Sequence, residues 1–104
     1  MNDDAAFVEP AKLLALLSNE KRLLIASHIL DGELSVNALA EKVGLSQSAL
    51  SQHLAKFRAA NAVTTRRDAQ TVYYSTSHEG IEKILEALGQ LFERKSSTKA
   101  GKTI

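Results

Sequence analysis

Residues 43–57 read Val43-Gly44-Leu45-Ser46-Gln47-Ser48-Ala49-Leu50-Ser51-Gln52-His53-Leu54-Ala55-Lys56-Phe57. Gly44 suits the left-handed backbone that ends one helix, and Ser46 suits the cap of the next, where its hydroxyl accepts from an otherwise unpaired N–H. On a helical wheel Leu50, Leu54 and Phe57 fall within about 60° of arc, so the second helix, expected over 47–60, has an apolar face to bury. Opposite lie Ser48, Ser51, Gln52, Ala55 and Ala59. Solvent faces usually carry Lys and Glu. This one is polar, uncharged and short, with Lys56 and Arg58 at its edges.

Working outward, Ser35 caps a helix over 36–43 in which Val36, Leu39, Ala40 and Val43 recur at spacings of three, four and seven. Before it, Ser18 or Asn19 caps a helix carrying Leu24, Ile25 and Ile29 that stops at Asp31-Gly32, and Pro10 suits the first turn of a helix running to Leu17. After residue 60 the period changes to two. Val63-Thr64-Thr65-Arg66-Arg67 and Thr71-Val72-Tyr73-Tyr74-Ser75 predict a hairpin around a loop of three residues or slightly more at Asp68-Ala69-Gln70. A last helix begins near His78 and carries Ile81, Ile84, Leu85, Leu88, Leu91 and Phe92. The fold class expected is α+β, mainly α: a winged helix-turn-helix of five helices with a two-stranded wing, occupying 1–94 as one domain. Residues 95–104 are expected to be a disordered basic tail.

The 104 residues suit one domain, and a domain this small gains from the additional burial of a dimer interface. The absence of cysteine excludes disulfides, Cys-ligated zinc, iron–sulfur clusters and thiol chemistry. No run approaches a membrane span and the start is acidic, so the expected location is cytoplasmic, with no membrane partner. The net charge of +1 is unevenly spread: residues 1–41 balance at −4, 42–78 at +4, 79–93 at −3 and 94–104 at +4. A basic middle beside a polar helix face points to a polyanion.

Double-stranded DNA is the partner this pattern implies. Short Ser, Gln and Ala side chains permit entry into a major groove about 12 Å wide, where Gln can pair with adenine and Ser with several base edges. Helix-turn-helix proteins read with the N-terminal half of the second helix. The expected DNA-binding set is therefore Ser46, Gln47, Ser48, Ser51 and Gln52, with Lys56, Arg66, Arg67 and Gln70 around them, the cations suiting phosphate. The wide stripe of Ile81, Ile84, Leu85, Leu88, Leu91 and Phe92, together with Phe7 and Leu14, is expected to form a homodimer interface. A two-fold dimer implies half-sites near 34 Å apart. No arrangement of nucleophile, base and acid, carboxylate pair or phosphate-binding loop points to an enzyme.

Ser18-Asn19-Glu20-Lys21-Arg22-Leu23-Leu24-Ile25, the stretch 43–54, and Arg66-Arg67-Asp68 with Val72-Tyr73-Tyr74 resemble the ArsR/SmtB repressors over residues 7–93, nearest the NolR-like branch that lacks the metal-binding cysteines. The resemblance implies a dimeric transcriptional repressor that members of the family commonly release from DNA through a metal or oxidant. The family's ligand positions correspond here to Ser35 and Ala38, and to His78, Gly80, Leu91 and Arg94, a set unable to give zinc its four donors. No metal and no cofactor are therefore expected. His28, His53 and His78 are read as hydrogen-bonding or capping residues, the alternative being an interface site of His78 with Glu79 or Glu82. Ala69 and Gln70 replace the glycine and basic residue commoner at the wing tip, which leaves Arg67 most of the wing's work. Other open readings are a protein-binding winged helix and control by an organic ligand between the terminal helices.

Overall fold

A computed structural model describes residues 4–93, so the expected tail lies outside the described residues. After a 3₁₀ turn at Asp4–Phe7 come α1 (Val8–Leu17), α2 (Glu20–Asp31), β1 (Leu34–Ser35), α3 (Val36–Val43), α4 (Gln47–Ala59), β2 (Thr64–Asp68), β3 (Thr71–Ser75) and α5 (Glu79–Leu88). A π-type turn at Gly89–Glu93 continues α5.

The helix starts follow from local side-chain chemistry. Asn19 Oδ1 accepts from Arg22 N at 3.0 Å, Ser35 Oγ from Ala38 N at 3.1 Å, Ser46 Oγ from Ala49 N at 3.1 Å, and His78 Nδ1 from Ile81 N at 3.2 Å. Each satisfies one of the donors a helix N-terminus leaves unpaired. The ends of α3 and α4 are equally regular. Gly44 sits at φ +70°, and Leu45 N reaches back to Ala40 O at 3.0 Å. Asn61 at φ +54° plays the same part after α4, with Ala62 N bonded to Phe57 O. Both are left-handed caps that turn the chain sharply. The first turns α3 into α4 and so creates the helix-turn-helix.

Leu50, Leu54 and Phe57 of α4 are buried with Ile25, Ala26 and Ile29 of α2 and Leu39, Ala40 and Val43 of α3, while Leu16, Leu17, Tyr74 and Ile81 close the core. The apolar stripe of α4 thus packs inward as its spacing predicts. Gly80 lets α1 approach α5: a Cβ there would stand 2.8 Å from Leu13 Cδ2 and 3.0 Å from the His78 ring.

Two features of the wing differ from the sequence-based expectation. The sheet has three strands, ordered β1-β3-β2, because Leu34 pairs with Tyr74 and Ser35 with Tyr73. The hairpin loop is shorter than expected, since Asp68 pairs with Thr71 and only Ala69 and Gln70 remain between the strands. Ala69 supplies the required bend at φ +58°. Thr76, a buried polar residue, ties the layers together: its N–H donates to Ile29 O, its hydroxyl donates to Ala62 O at 2.7 Å, and its own Oγ1 accepts from His78 N at 3.1 Å.

Candidate nucleic-acid interface

Because α4 buries Leu50, Leu54 and Phe57, its opposite face must be outermost. Ser46, Gln47, Ser48, Ser51, Gln52 and Lys56 are all exposed, as are Ala55 and Ala59. Gln47 is less free than its place at the helix start implies, since its Nε2 donates to Asn37 Oδ1 on α3. Asn37 therefore belongs to this surface although sequence reasoning passed over it. The available signal was a polar residue two positions after the Ser35 cap, but nothing local says which helix it meets.

Behind α4, Arg22 joins three helices. Its Nε donates to Leu16 O at the end of α1 at 2.6 Å, its Nη2 lies 3.5 Å from Ala15 O, and its Nη1 is 3.3 Å from His53 Nδ1 on α4. Partial burial, then the Arg22 and Lys56 charges, hold the His53 pKa below the ordinary imidazole value. A neutral His53 accepts the Arg22 hydrogen bond, whereas a protonated one loses that capacity. Lys21 Nζ donates to Val43 O at 2.6 Å and so occupies a carbonyl at the end of α3. Arg58, which flanks the polar stripe in sequence, donates from Nη1 to Tyr74 Oη at 2.7 Å and ties α4 to β3.

On the wing, Arg66, Arg67 and Gln70 are exposed. The Arg66 guanidinium is engaged, with Nε and Nη2 each 2.8 Å from the Glu33 carboxylate and the guanidinium carbon 4.4 Å from the Tyr73 ring centroid. The Arg66 hydrogen bond holds the Glu33 carboxyl below its usual range, and Glu33 raises the Arg66 pKa in return. Among the described residues Arg67 makes no ion pair.

The apolar positions assigned to a dimer interface separate into two groups. Phe7, Leu14, Leu91 and Phe92 are 67, 58, 64 and 70% exposed, an unusual concentration of large apolar surface at the two ends of the described chain. Ile84, Leu85 and Leu88 are half-buried. Ile81 does not belong with them. It is fully buried in the chain's own core, because the first turn of α5 docks on α2 before the rest of the stripe emerges. A cleft of about 580 Å³ opens between α1, the end of α4 and His78, lined by Pro10, Leu13, Leu16, Ala59 and Ala62 among others.

The family model described as "Bacterial regulatory protein, arsR family" matches residues 19–65, from the cap of α2 into β2. The nodulation protein NolR of Rhizobium meliloti is 57% identical over 82 residues, covering 79% of this chain and 67% of that protein. The crystal structure of NolR from Sinorhizobium fredii superposes with a TM-score of 0.78 at 56% identity, covering 81% of this chain and 84% of that one. A Mycobacterium bovis domain solved by NMR and described as a homodimeric winged helix-turn-helix has a TM-score of 0.77 at 22% identity, covering 94 and 92% of the two chains. That last likeness is one of fold, and it places the three-stranded sheet and five helices in the winged helix-turn-helix class.

Proposed function

We proceed from the fact that this chain belongs to the arsR family of bacterial regulatory proteins, and we propose that it is a sequence-specific DNA-binding transcriptional regulator acting as a homodimeric repressor. The observation that carries the proposal is the exposed, uncharged face of α4 beside a cationic wing. Ser48, Ser51 and Gln52 face outward with short side chains able to approach base edges, and Gln47 adds a second amide at the helix start. Ser46, Lys56, Arg67 and Gln70 surround them; Lys56 and Arg67 make no ion pair among the described residues and suit phosphate, whereas Arg66 is engaged by Glu33. Gln47 and Gln52 favour A·T pairs through adenine N6 and N7.

The exposed Phe7, Leu14, Leu91 and Phe92, with Ile84, Leu85 and Leu88 beside them, support a symmetric dimer. Two α4 helices would then meet successive major grooves of a pseudo-palindromic operator, whose occupation excludes other proteins from that DNA. The protein would act in the cytoplasm. Among the described residues no helix is long and apolar enough to cross a membrane.

The proposed regulator uses neither a thiol nor the family's metal positions. Ser35 and His78, which stand at two of those positions, are both employed as helix N-caps. The cleft beside His78 favours an organic effector as a second reading of its control.

The test is fluorescence anisotropy on a duplex selected by the protein from a random pool, compared with a random-sequence duplex. Gln52→Ala should cost about 1–3 kcal/mol on the selected duplex and little on the random one. Equal losses on both would remove Gln52 from base reading. Binding that ignores salt on both duplexes would favour a protein-binding winged helix instead.

A further inference from the structure

The two adjacent wing arginines have different surroundings, and the strand pairing explains why. Arg67 pairs with Val72 and Arg66 with Tyr73 in the antiparallel ladder. Side chains alternate across a strand and directly paired residues share a face. Val72 and Arg67 therefore lie on the face of Tyr74, which is buried and whose hydroxyl is held by Arg58 of α4. Arg66 and Tyr73 lie on the opposite face. Strand β1 adds to the same division: Leu34 pairs with Tyr74 and Ser35 with Tyr73. Glu33, one residue before Leu34, falls on the Arg66 side. The pleat thus directs Arg67 to the side of α4 and delivers Arg66 to an acid.

The Arg66 contact is specific in geometry. Both carboxylate oxygens of Glu33 receive a guanidinium N–H at 2.8 Å, and the guanidinium also lies over the Tyr73 ring. A planar two-pronged pair stacked on an aromatic ring fixes the direction of the arginine more closely than a single contact does. Both partners are substantially exposed, at 52 and 38%, so the pair adds little to folding stability. Its consequence lies in where a positive charge is presented.

We propose that Glu33 is a positioning residue for DNA binding: it holds Arg66 against Tyr73 on the far face of the wing and leaves Arg67 as the wing's phosphate contact. This rests on the DNA-binding reading above. Glu33 occupies Arg66 as a phosphate would, and so limits the cation available for sequence-independent attraction. The loop before β1 thereby contributes to discrimination without touching a base. Removing the acid releases a second cation per wing, which strengthens binding to any duplex.

The experiment follows anisotropy against salt for the full chain on the selected and the random duplex. Each phosphate contact contributes about 0.9 to the slope of log K against log salt. Arg67→Ala is expected to lower the slope by about 0.9 per wing, and Arg66→Ala to leave it unchanged. Glu33→Gln is expected to steepen the slope by a similar amount and to tighten random-duplex binding several-fold. The double variant Glu33→Gln with Arg66→Ala should return both values to those of wild type.

A second readout does not depend on affinity. In ¹H–¹⁵N spectra of the arginine side chains, DNA should move the Arg67 Nε–H resonance and leave that of Arg66 in place. Circular dichroism and a thermal melt establish that each variant is folded. A slope that falls as much for Arg66→Ala as for Arg67→Ala overturns the proposal, as does a Glu33→Gln variant that weakens both duplexes at unchanged slope. If wild type binds neither duplex, the DNA-binding reading itself has failed and the proposal falls with it.

Discussion

Replacing Arg22 with alanine tests the packing behind α4 most directly. The last carbonyls of a helix have no partner within it, and Leu16 O near the end of α1 receives Arg22 Nε at 2.6 Å. A hydrogen bond from a charged donor contributes about 1.5–3 kcal/mol net, and a cation at a helix C-terminus adds about 0.3–1 kcal/mol. The Ala15 contact, at 3.5 Å, contributes little. Alanine also leaves His53 without its partner on α2. Together these put the loss at about 2–3 kcal/mol, and because water can reach this half-buried site the lower figure is the better expectation. For a domain of this size that lowers Tm by roughly 10–15 °C. Lysine keeps the charge near the helix end but supplies no planar fork, so Arg22→Lys should lose about half as much.

The assay is a urea or thermal melt at one fixed protein concentration, because the stability of a dimer depends on concentration. A loss below about 0.5 kcal/mol in Arg22→Ala would show that solvent replaces these contacts, and would remove Arg22 as the joint between α1 and α4. The pH dependence provides a second check. Protonation of His53 is disfavoured in the folded chain, so its contribution to stability is present above the ordinary imidazole pKa and is lost as pH falls through the lower folded value. Burial is the larger cause and survives the substitution. The His53 titration followed by NMR should therefore move upward in Arg22→Ala without reaching the value of a free imidazole.

Thr76→Val keeps the shape of a buried side chain but removes the hydroxyl from Ala62 O and His78 N, and should cost about 1–3 kcal/mol in a chemical melt. Ala69→Gly relieves a positive φ at the wing tip, an effect partly offset by the greater freedom of glycine in the unfolded chain; a net gain of about 0.5 kcal/mol is expected. Leu14→Asp combined with Phe92→Asp places charge on exposed apolar surface, so sedimentation should show a shift toward monomer with the helical spectrum retained. A dimer unaffected by both charges would put the interface elsewhere.

What the sequence made legible follows the range of the forces involved. The caps at Ser35 and Ser46 and the left-handed turn at Gly44 are decided within a few residues and stand where the local pattern put them, while the structure selects Asn19 over Ser18 and makes His78 a cap. The apolar face of α4 was equally plain, because burial of Leu50, Leu54 and Phe57 needs only a core on one side. Strand β1 was not legible: two residues have no periodicity of their own, and Leu34 and Ser35 become a strand only by pairing with Tyr74 and Tyr73. The short turn was missed because Ala69 carries no turn preference; its positive φ is imposed by the ladder that closes at Asp68 and Thr71. Ile81 read as one more member of an apolar stripe, and only the docking of α5 distinguishes it from Ile84 and Leu85. The candidate site divides in the same way. Outward Ser48, Ser51 and Gln52 could be read from one helix, whereas Glu33 and Arg66 stand 33 residues apart and Arg22 and His53 stand 31 apart.

These long-range contacts connect elements with different proposed tasks. The turn before α1 presents Phe7 and α1 presents Leu14 outward as candidate dimer surface, and the last turn of α1 is held by Arg22, which also reaches His53 on the back of α4. The angle between the two reading helices of a dimer would therefore depend on one guanidinium as well as on the apolar core. On the other side, Arg58 fixes α4 to Tyr74, the strand residue whose neighbours set the direction of Arg67. The base reading proposed for α4 and the phosphate contact proposed for the wing would thus be mechanically joined. A change at the dimer surface that tilts α1 would move both together. A regulator coupled in this way would need neither a metal ligand nor a thiol, since a shift of α1 against Arg22 would alter how two half-sites are met.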